Sequence, residues 1–449
     1  MMKKSLLYAL LLALPLLAET PAPLTCNNAE LETALTELKQ KAEGGDAYSA
    51  RQVYMRYALK GFMKQAHAWA DKFVDILRKQ ADAGDIIAMR FMGRAYLTGD
   101  AYLKRDEAEA ANWFKRAADA GDAAAAFILA ELHTKALKQE EADAAWKQSY
   151  NLYCKKADEG DNEALYWKGY MQQQALGTPA APQEGLANME KAAAAGCMTA
   201  AFQLFKTYTK GIGTAANEAK AFRYAKQLAD EGKDPQMIYV VADAYFKGKG
   251  IAADEKTALQ YLEKAVELKV PAAIYHKAWR LEEAGKNEEA YQLYRQSASM
   301  GHADAAVRMG SMQLHGKGTE KDESAGLATL QRACDRLQSA FAPYELARYY
   351  DSVGEPALAN EWYVVASDRG VAEAMGRRGL MHLNPFSGVK WGPTETYRWW
   401  KQGKEAGDAD CTLYYNLYFY LFIPLIIILV FALPLLVVYK ANKKTQTEE

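Results

Sequence analysis

The sequence predicts an all-α chain: a superhelical solenoid of about ten helix-turn-helix repeats, followed by one C-terminal transmembrane helix. The first observation behind this prediction is a phrase that recurs at Ala81–Asp85, Ala118–Asp122 and Ala157–Asp161 and ends each time in Gly-Asp. The second is a long apolar run near the C-terminus. Regular recurrence at such intervals is typical of stacked helical hairpins, in which neighbouring repeats bury each other's apolar faces. Arrays of this kind mostly bind other macromolecules.

The glycine of the phrase marks each repeat. The intervals between successive slots run from 32 to 39 residues. The slots are Gly45, Gly84, Gly121, Gly160, Gly196, Gly232, Lys269, Gly301, Leu337, Gly370 and Gly407. Because a glycine after a helix favours the left-handed C-cap and a following Asp can cap the next helix, each Gly-Asp pair ends one helix and begins another.

One repeat shows how the unit is built. After Gly84, a helix is expected from Ile86 to about Thr98, and a second from Asp106 to Ala120. Apolar and small residues at helical spacing give each helix a face that packs against its neighbour. Aromatic residues recur at two positions of the repeat and are assigned structural roles. The main ones are Tyr96, Tyr208 and Tyr245 in the first helix, and Trp113, Trp362 and Trp399 in the second.

These residues resemble the Sel-one-like repeat family, a relative of the tetratricopeptide repeats. The pattern is Ala-x-x-Gly-(Asp/His)-x-x-Ala, then Tyr-x-x-Gly-x-Gly, then Ala-x-x-(Trp/Tyr), and it is clearest at 193–213, 229–250 and 298–318. The resemblance weakens at Lys269 and Leu337, which replace the glycine, and at Asn384–Gly392, where the loop is remade. It implies a right-handed solenoid that serves as an adaptor or scaffold in membrane or cell-envelope complexes, and it implies no catalytic residues.

The N-terminus has the layout of a secretory signal peptide. Lys3 and Lys4 precede an apolar run from Leu6 to Leu17, and Ala18 is followed by a polar segment. This order of charged, apolar and small residues is typical of secretion signals. Residues 1–18 are therefore predicted to be cleaved after Ala18, with an uncleaved anchor as the alternative.

The C-terminus is predicted to cross a membrane. No charged residue occurs between Cys411 and Tyr439, and residues 418–438 are almost wholly apolar. A helix of that length, at ~1.5 Å per residue, spans a hydrocarbon core of ~30 Å. Lysines follow at once, which favours a cytoplasmic C-terminus. The predicted order is a signal peptide at 1–18, repeats at 19–410, a transmembrane helix at 411–439 and a short cytoplasmic tail at 440–449.

Charge and composition argue against several classes of function. The net charge is −1 and has no basic block, so nucleic acid is not expected as a partner. The six histidines are spread along the chain without a metal-ligand or triad spacing, so no metal, cofactor or catalytic residue is predicted. Three Gly-x-Gly loops, beginning at Gly211, Gly248 and Gly316, lack the preceding strand or the Lys-Ser/Thr context of phosphate loops. They are interpreted as connections between helices.

The leading hypothesis is a membrane-tethered, extracytoplasmic protein-interaction scaffold with a partner protein of unknown identity. A bacterial periplasm is favoured, and the lumen of the endoplasmic reticulum is the alternative. Phe386 and Trp391, in the irregular loop near the membrane end, are the candidate partner contacts, although the same aromatics could simply cap the last repeat. A receptor or enzyme acting on a cell-envelope ligand through a pocket between repeats, or a purely structural spacer, are the competing hypotheses.

Overall fold

A computed structural model of the chain describes residues 28–231, 234–384, 390 and 392–422. Throughout these ranges the ordered segments are helical and no strand occurs, which confirms the all-α prediction. The α-helices are α1 (Asn28–Glu43), α2 (Ala47–Leu59), α3 (Met63–Asp82), α4 (Ile86–Thr98), α5 (Glu107–Asp119), α6 (Ala123–Lys135), α7 (Gln139–Asp158), α8 (Asn162–Gln174), α9 (Pro182–Ala194), α10 (Met198–Lys210), α11 (Glu218–Asp230), α12 (Pro235–Lys247), α13 (Glu255–Glu267), α14 (Pro271–Glu283), α15 (Asn287–Ser299), α16 (Ala303–His315), α17 (Glu323–Asp335), α18 (Phe341–Ser352), α19 (Pro356–Asp368), α20 (Ala372–Leu383), α21 (Pro393–Glu405) and α22 (Ala409–Leu417).

Helices α2 to α21 pair in sequence as ten consecutive hairpins, from α2–α3 to α20–α21. In each hairpin we call the earlier helix the first helix and the later one the second helix. The chain forms two compact units, one ending at Leu228 and the other beginning at Ala229, in the last turn of α11. Each unit is a stack of antiparallel hairpins.

The Gly-Asp pair sets the helix boundaries by local chemistry. Gly84 has a φ of +98°, and a Cβ added there would meet nothing within 4 Å, so only the backbone conformation calls for glycine. One carboxylate oxygen of Asp85 accepts from the amides of Ile87 at 2.8 Å and Ala88 at 3.1 Å. These bonds satisfy amides that have no partner inside the helix. The slots at Gly121, Gly160, Gly196, Gly301, Gly370 and Gly407 also have positive φ, whereas Gly232 lies outside the described residues.

The two slots without glycine keep the turn in different ways. Lys269 adopts a φ of +57° at the expected position. At the other slot the left-handed residue is Gln338, with a φ of +53°, one position after Leu337. Ser339 then caps α18 by accepting from the amides of Phe341 and Ala342, both at 3.2 Å. The hairpins thus survive the loss of glycine, and in one case the turn moves by one residue.

Small residues bring the two helices of a hairpin together. If the N-cap residue of each first helix is counted as position 0, position 8 is Gly93 in α4 and Gly169 in α8. A Cβ on Gly93 would lie 3.0 Å from the Phe114 ring, and one on Gly169 would lie 2.4 Å from the Gly185 carbonyl oxygen. In these two helices position 8 therefore faces the second helix of its own hairpin, and the neighbouring ring and backbone atoms leave no room for a bulky side chain.

The C-terminal end of the described chain packs with the repeats. Cys411 is fully buried, and its Sγ lies where a Cβ on Gly403 would approach to 2.2 Å. Beyond α22 the backbone continues as a π-helical turn, Tyr418–Phe422. Over the ranges given above, no helix has the length and apolarity needed to cross a membrane. The predicted signal peptide and residues 423–449, which hold most of the predicted span, lie outside the described residues.

Candidate protein-interaction surface

The aromatic residues that recur in the sequence pack within the repeats. Tyr208 is buried and its hydroxyl donates to Glu190 at 2.6 Å. Tyr245 stacks on Tyr261 with ring centres 6.1 Å apart, while Tyr96 is half-buried. These tyrosines lie at contacts between helices, where Tyr208 is buried and Tyr96 and Tyr245 are partly buried.

The tryptophans of the second helices are placed similarly. Trp113 is buried, with the Arg116 guanidinium 4.2 Å from its ring centre. Trp399 is half-buried beneath Arg378, whose guanidinium lies 3.6 Å from the ring centre, and Trp362 is half-buried beside the core of its unit. The two candidate partner contacts, Phe386 and Trp391, lie outside the described residues.

A different set of side chains forms a surface that the sequence reasoning missed. Positions 5 and 9 of a first helix lie one turn apart, on one side of position 8. They flank the hairpin contact, and the position-5 rings reach both the second helix of their own hairpin, as Phe127 reaches Trp146, and the next first helix, as Phe127 reaches Trp167. We call the side chains at positions 5 and 9, taken over consecutive first helices, the first-helix stripe.

In the first compact unit the stripe runs over α6, α8 and α10. Position 5 is aromatic in all three helices, and position 9 is Glu131, Tyr170 and Lys206 in turn. The position-5 residues are Phe127, Tyr166 and Phe202. Phe202 is 39% exposed, and the ammonium of Lys206 lies 4.9 Å from its ring centre. Phe127 and Tyr166 are buried, so in this unit the exposed aromatic surface of the stripe is that of Phe202, next to the Lys206 charge.

Glu131 is the unusual group of this unit. Its Oε2 is buried and has no hydrogen-bond partner. Burial raises the pKa of the Glu131 carboxyl to about 7, because the charged form loses hydration without gaining a cation or a donor. Burial also raises the pKa of the neighbouring Tyr170 hydroxyl to about 12, with the Glu131 charge as a second cause. A cationic group brought to Glu131 would supply the missing counter-charge.

In the second unit the stripe includes α12 and α14. Tyr239 and Asp243 hold positions 5 and 9 of α12, and Tyr275 and Trp279 hold them in α14. Trp279 is 39% exposed. The ring of His276 on α14 lies next to the rings of Tyr239, Phe246 and Trp279, so the two helices present a joined aromatic area.

His276 connects these rings. Its ring centre lies 4.8 Å from that of Phe246, 5.8 Å from that of Trp279 and 6.1 Å from that of Tyr239. Burial lowers the pKa of His276, with the positive charges of Arg280 and Lys247 acting in the same direction and Asp243 opposing them. At neutral pH His276 therefore acts as an uncharged member of the aromatic area.

The described residues hold little that could carry chemistry. No group of three or more His, Cys, Asp or Glu side chains within them is arranged to hold a metal ion. In the Gly-x-Gly loops both glycines have positive φ and the loops connect helices, as the sequence interpretation had it. A Cβ on Gly318 would lie 2.2 Å from the Asn287 carbonyl oxygen, so this glycine serves close packing of the loop.

One shallow polar hollow adjoins such a loop. Tyr291 and Gln313 form one wall, with the Gln313 amide donating to the Tyr291 hydroxyl at 3.3 Å, and residues 319–323 form the other. The lining includes the Tyr291 and Thr319 hydroxyls and the Lys321–Glu323 ion pair, whose nitrogen and oxygen lie 2.7 Å apart.

Aligning the N-caps could have revealed the stripe from the sequence. An aromatic residue stands five positions after the cap in Phe127, Tyr166, Phe202, Tyr239 and Tyr275. The aromatic recurrences counted from the glycine slot fall at other positions of the repeat and do not coincide with this register. The sequence could not have given the exposure of these rings, which depends on the neighbouring hairpins.

Comparison with one solved structure supports the assignment of the fold. The c5321 protective antigen of uropathogenic Escherichia coli, which displays an SLR fold, is 23% identical; the alignment covers 86% of this chain and 82% of that one, with a TM-score of 0.55. A Sel1 repeat protein from Oxalobacter formigenes is 24% identical, with 76% of this chain and 99% of that one covered and a TM-score of 0.47.

The family model for the Sel1 repeat matches seven segments that together make up more than half of the chain: residues 86–122, 162–197, 199–233, 235–270, 286–302, 303–336 and 372–408. The matched segments follow the hairpins of the structure, each beginning at or near the start of a helix. This chain therefore belongs to the Sel1 repeat family.

Proposed function

We propose that this protein is a non-catalytic scaffold, held at a membrane by its C-terminal segment, that binds a partner protein on the first-helix stripe. Sel1 repeat proteins are generally protein-interaction scaffolds, which supports the class of function. The observation that carries the choice of surface is the joined aromatic area of Tyr239, Phe246, His276 and Trp279. Aromatic residues supply large contact area at low entropic cost and are enriched among the residues that dominate binding energy.

The polar residues around this area fit recognition of a protein. Asp243, Lys247, Arg280 and Glu283 share the two helices with the rings. An apolar centre surrounded by polar side chains is the arrangement found in specific protein interfaces, in which the rim keeps water from the centre. A purely structural spacer has no need of half-exposed aromatic rings on consecutive first helices.

The proposed location rests on the composition of the two end segments. The apolar N-terminal run supports secretion, and the uncharged segment 418–438 with its lysine-rich flank supports a single span with a cytoplasmic C-terminus. The repeats then lie on the extracytoplasmic side, in a bacterial periplasm by preference. Tethering raises the local concentration of the scaffold for partners at the same membrane.

Site-specific photocrosslinking in cells tests the surface. A benzoylphenylalanine placed at Trp279 should capture a discrete partner protein, whereas one at Leu259, a 42% exposed residue on the second helix α13, should not. The Trp279→Ala variant should then bind the purified partner at least about tenfold more weakly, a loss of about 1.4 kcal/mol, while Leu259→Ala binds normally. Equal capture at both positions would refute the surface, and capture of envelope polymer instead of protein would favour a ligand receptor.

The location has its own test. Extraction of membranes at high pH should leave the full chain in the membrane and release a variant that lacks residues 412–449. A fluorescent protein that folds only in the cytoplasm, fused after Glu449, should fluoresce. Release of the full chain would contradict the membrane tether, and a dark fusion would contradict the orientation.

A further inference from the structure

The end of the repeat stack is joined to the predicted membrane segment without a linker. Between Leu413 and Tyr439 the sequence has no glycine, serine or charged residue. Flexible linkers are typically rich in glycine and polar residues, so this composition does not provide one. The structure adds that α22, which leads into this segment, is part of the repeat stack.

Helix α22 stands where the first helix of an eleventh hairpin would stand. It follows a glycine slot, Gly407, with a φ of +89°, and its N-cap Asp408 accepts from the Cys411 amide at 2.6 Å. The Cys411 side chain fits between two glycines, Gly376 and Gly403. A Cβ on Gly376 would lie 3.0 Å from the Cys411 Sγ, and a Cβ on Gly403 would lie 2.2 Å from it. Only residues without side chains leave room for this contact, which fixes α22 on α20 and α21.

Aromatic rings extend the contact along α22 and into the π-helical turn. Trp400 on α21 has its ring centre 5.4 Å from that of Tyr414 and 5.8 Å from that of Tyr418. Its indole N–H donates to the Gly376 carbonyl at 3.3 Å, and the Tyr418 hydroxyl donates to the Pro393 carbonyl at 3.3 Å. The junction is therefore packed against the last hairpin from Cys411 through Tyr418.

A second set of rings lies nearer to solvent. The hydroxyls of Tyr397 on α21 and Tyr415 are hydrogen-bonded at 3.2 Å. The Tyr415 ring stacks on that of Phe419, with the ring centres 6.2 Å apart. The ammonium of Lys404 lies 4.3 Å from the Tyr415 ring centre and 3.5 Å from the Asn416 side-chain oxygen. Tyrosine rings with adjacent lysines are the side chains that bilayer interfaces select, since each has an apolar body and a polar tip.

The opposite side of α22 is apolar and uncovered. Leu413 is 54% exposed and Leu417, one turn later, is 40% exposed. Tyr420 continues this line at 71% exposed. On α21, Lys401 and Lys404 follow Tyr397 at intervals of four and three residues, so the three side chains share one side of the helix. The Lys401 ammonium nitrogen lies 4.0 Å from a carboxylate oxygen of Glu405, a long ion pair.

We propose that α22 is a rigid junction that seats the last hairpin on the membrane surface. Leu413 and Leu417 enter the boundary between headgroups and acyl chains, while Tyr397, Lys401 and Lys404 lie at the lipid headgroups. The bilayer is the occupant of this surface because the chain continues directly from it into the uncharged run of the sequence. This inference rests on the proposed membrane tether, and it adds that the repeats are held in a fixed orientation to the bilayer.

Lipid photocrosslinking of the full-length protein in vesicles containing anionic lipid tests the junction. A benzoylphenylalanine at Leu413 or Tyr397 should form lipid adducts, and one at Leu358, a 40% exposed residue of α19, should not. The same probe at Ile427, within the predicted span, reports membrane insertion by itself. Adducts at Ile427 without adducts at Leu413 and Tyr397 would overturn the junction and leave the tether standing. Absence of adducts at Ile427 would overturn both proposals.

A wedge variant tests the rigidity. Gly403→Val places side-chain atoms where Cys411 packs, which should release α22 from α21. We expect the Tyr397 adduct to be lost while the Leu413 and Ile427 adducts persist, with far-UV circular dichroism showing that the repeats remain folded. An unchanged Tyr397 adduct in the folded variant would show that the last hairpin reaches the bilayer without α22.

Discussion

Two glycines at the contact between α8 and α9 allow a quantitative test of how the hairpins are held together. A Cβ on Gly169 would lie 2.4 Å from the Gly185 carbonyl oxygen, and a Cβ on Gly185 would lie 2.4 Å from the Gly169 carbonyl oxygen. Ordinary contact begins near 3.4 Å, so an alanine at either site requires the helices to separate by about 1 Å. Since both obstacles are backbone atoms, no rotamer change relieves the overlap.

The expected cost follows from two opposing effects. Overpacking in a well-packed core costs about 1–3 kcal/mol, and backbone obstacles place this case at the upper end. Alanine in place of glycine inside a helix returns about 1 kcal/mol through its higher helix propensity. We therefore expect Gly169→Ala to lower the free energy of unfolding by about 2 kcal/mol, and Gly185→Ala to do much the same.

The double variant makes the test sharper. Once the helices have separated to accommodate one methyl group, a second methyl group meets less resistance. The loss in free energy of unfolding of the double variant should therefore be smaller than the sum of the two single losses by about 1 kcal/mol or more, the size of coupling found between contacting residues. Urea unfolding measures the losses, and hydrogen exchange in peptides from α8 and α9 locates them.

Gly310→Ala is the matched comparison, because its position-8 Cβ would lie 3.2 Å from the nearest backbone oxygen, that of Gly326, and 2.9 Å from the Leu330 Cγ, so its backbone overlap is much smaller and its loss should be smaller. A neutral Gly169→Ala, or losses that add fully in the double variant, would refute the argument that backbone contact holds this hairpin.

Three further outcomes follow from the structure. Gly121→Ala should lower the melting temperature, because φ is +99° at this slot and a left-handed backbone costs a residue with a side chain about 1–2 kcal/mol. Lys269→Gly, at a slot with φ of +57°, should raise the melting temperature for the same reason. Equal effects of the two substitutions would contradict the role assigned to the slot. Asp85→Ala should cost about 1 kcal/mol in urea unfolding through the lost N-cap bonds, with Asp85→Asn, which keeps an acceptor, nearly unchanged. The pKa of Glu131 is about 7 in the folded state, above the ordinary value of an unfolded carboxyl, so the native state binds the extra proton between these two values and stability falls as the pH rises through this window. The melting temperature of Glu131→Gln should therefore exceed that of the wild type by a growing margin as the pH is raised from 5 to 8. Parallel plots of melting temperature against pH for the two proteins would show that Glu131 does not titrate in this way.

Much of the fold was predictable from the sequence because helix ends are set by local signals. The first helix of the repeat after Gly84 was expected from Ile86 to about Thr98 and is found at Ile86–Thr98. The second was expected from Asp106 to Ala120 and runs over Glu107–Asp119. A left-handed glycine and a capping carboxylate act within one turn of the chain, so their effect can be read without knowing what packs around them.

The interaction surface was harder to predict from the sequence. The repeated tyrosines and tryptophans stand out in the sequence, yet Tyr208 and Trp113 are buried, while Phe202 and Trp279 keep exposed ring surface. The exposure of an aromatic ring depends on side chains one repeat away in the sequence. Recurrence alone therefore marked the residues that hold hairpins together and did not distinguish them from those that face outwards.

The repeat, the helix boundaries and the membership of a helical-hairpin family could be predicted from the residues alone, since each depends on interactions between positions a few residues apart. Contacts between helices were needed to establish which side of the first helices is open, why Glu131 lacks a counter-charge, how the turn at Leu337 moves to Gln338, and that α22 is packed into the last hairpin. These features arise from contacts between separate helices. Their energies depend on distances that neither composition nor spacing specifies.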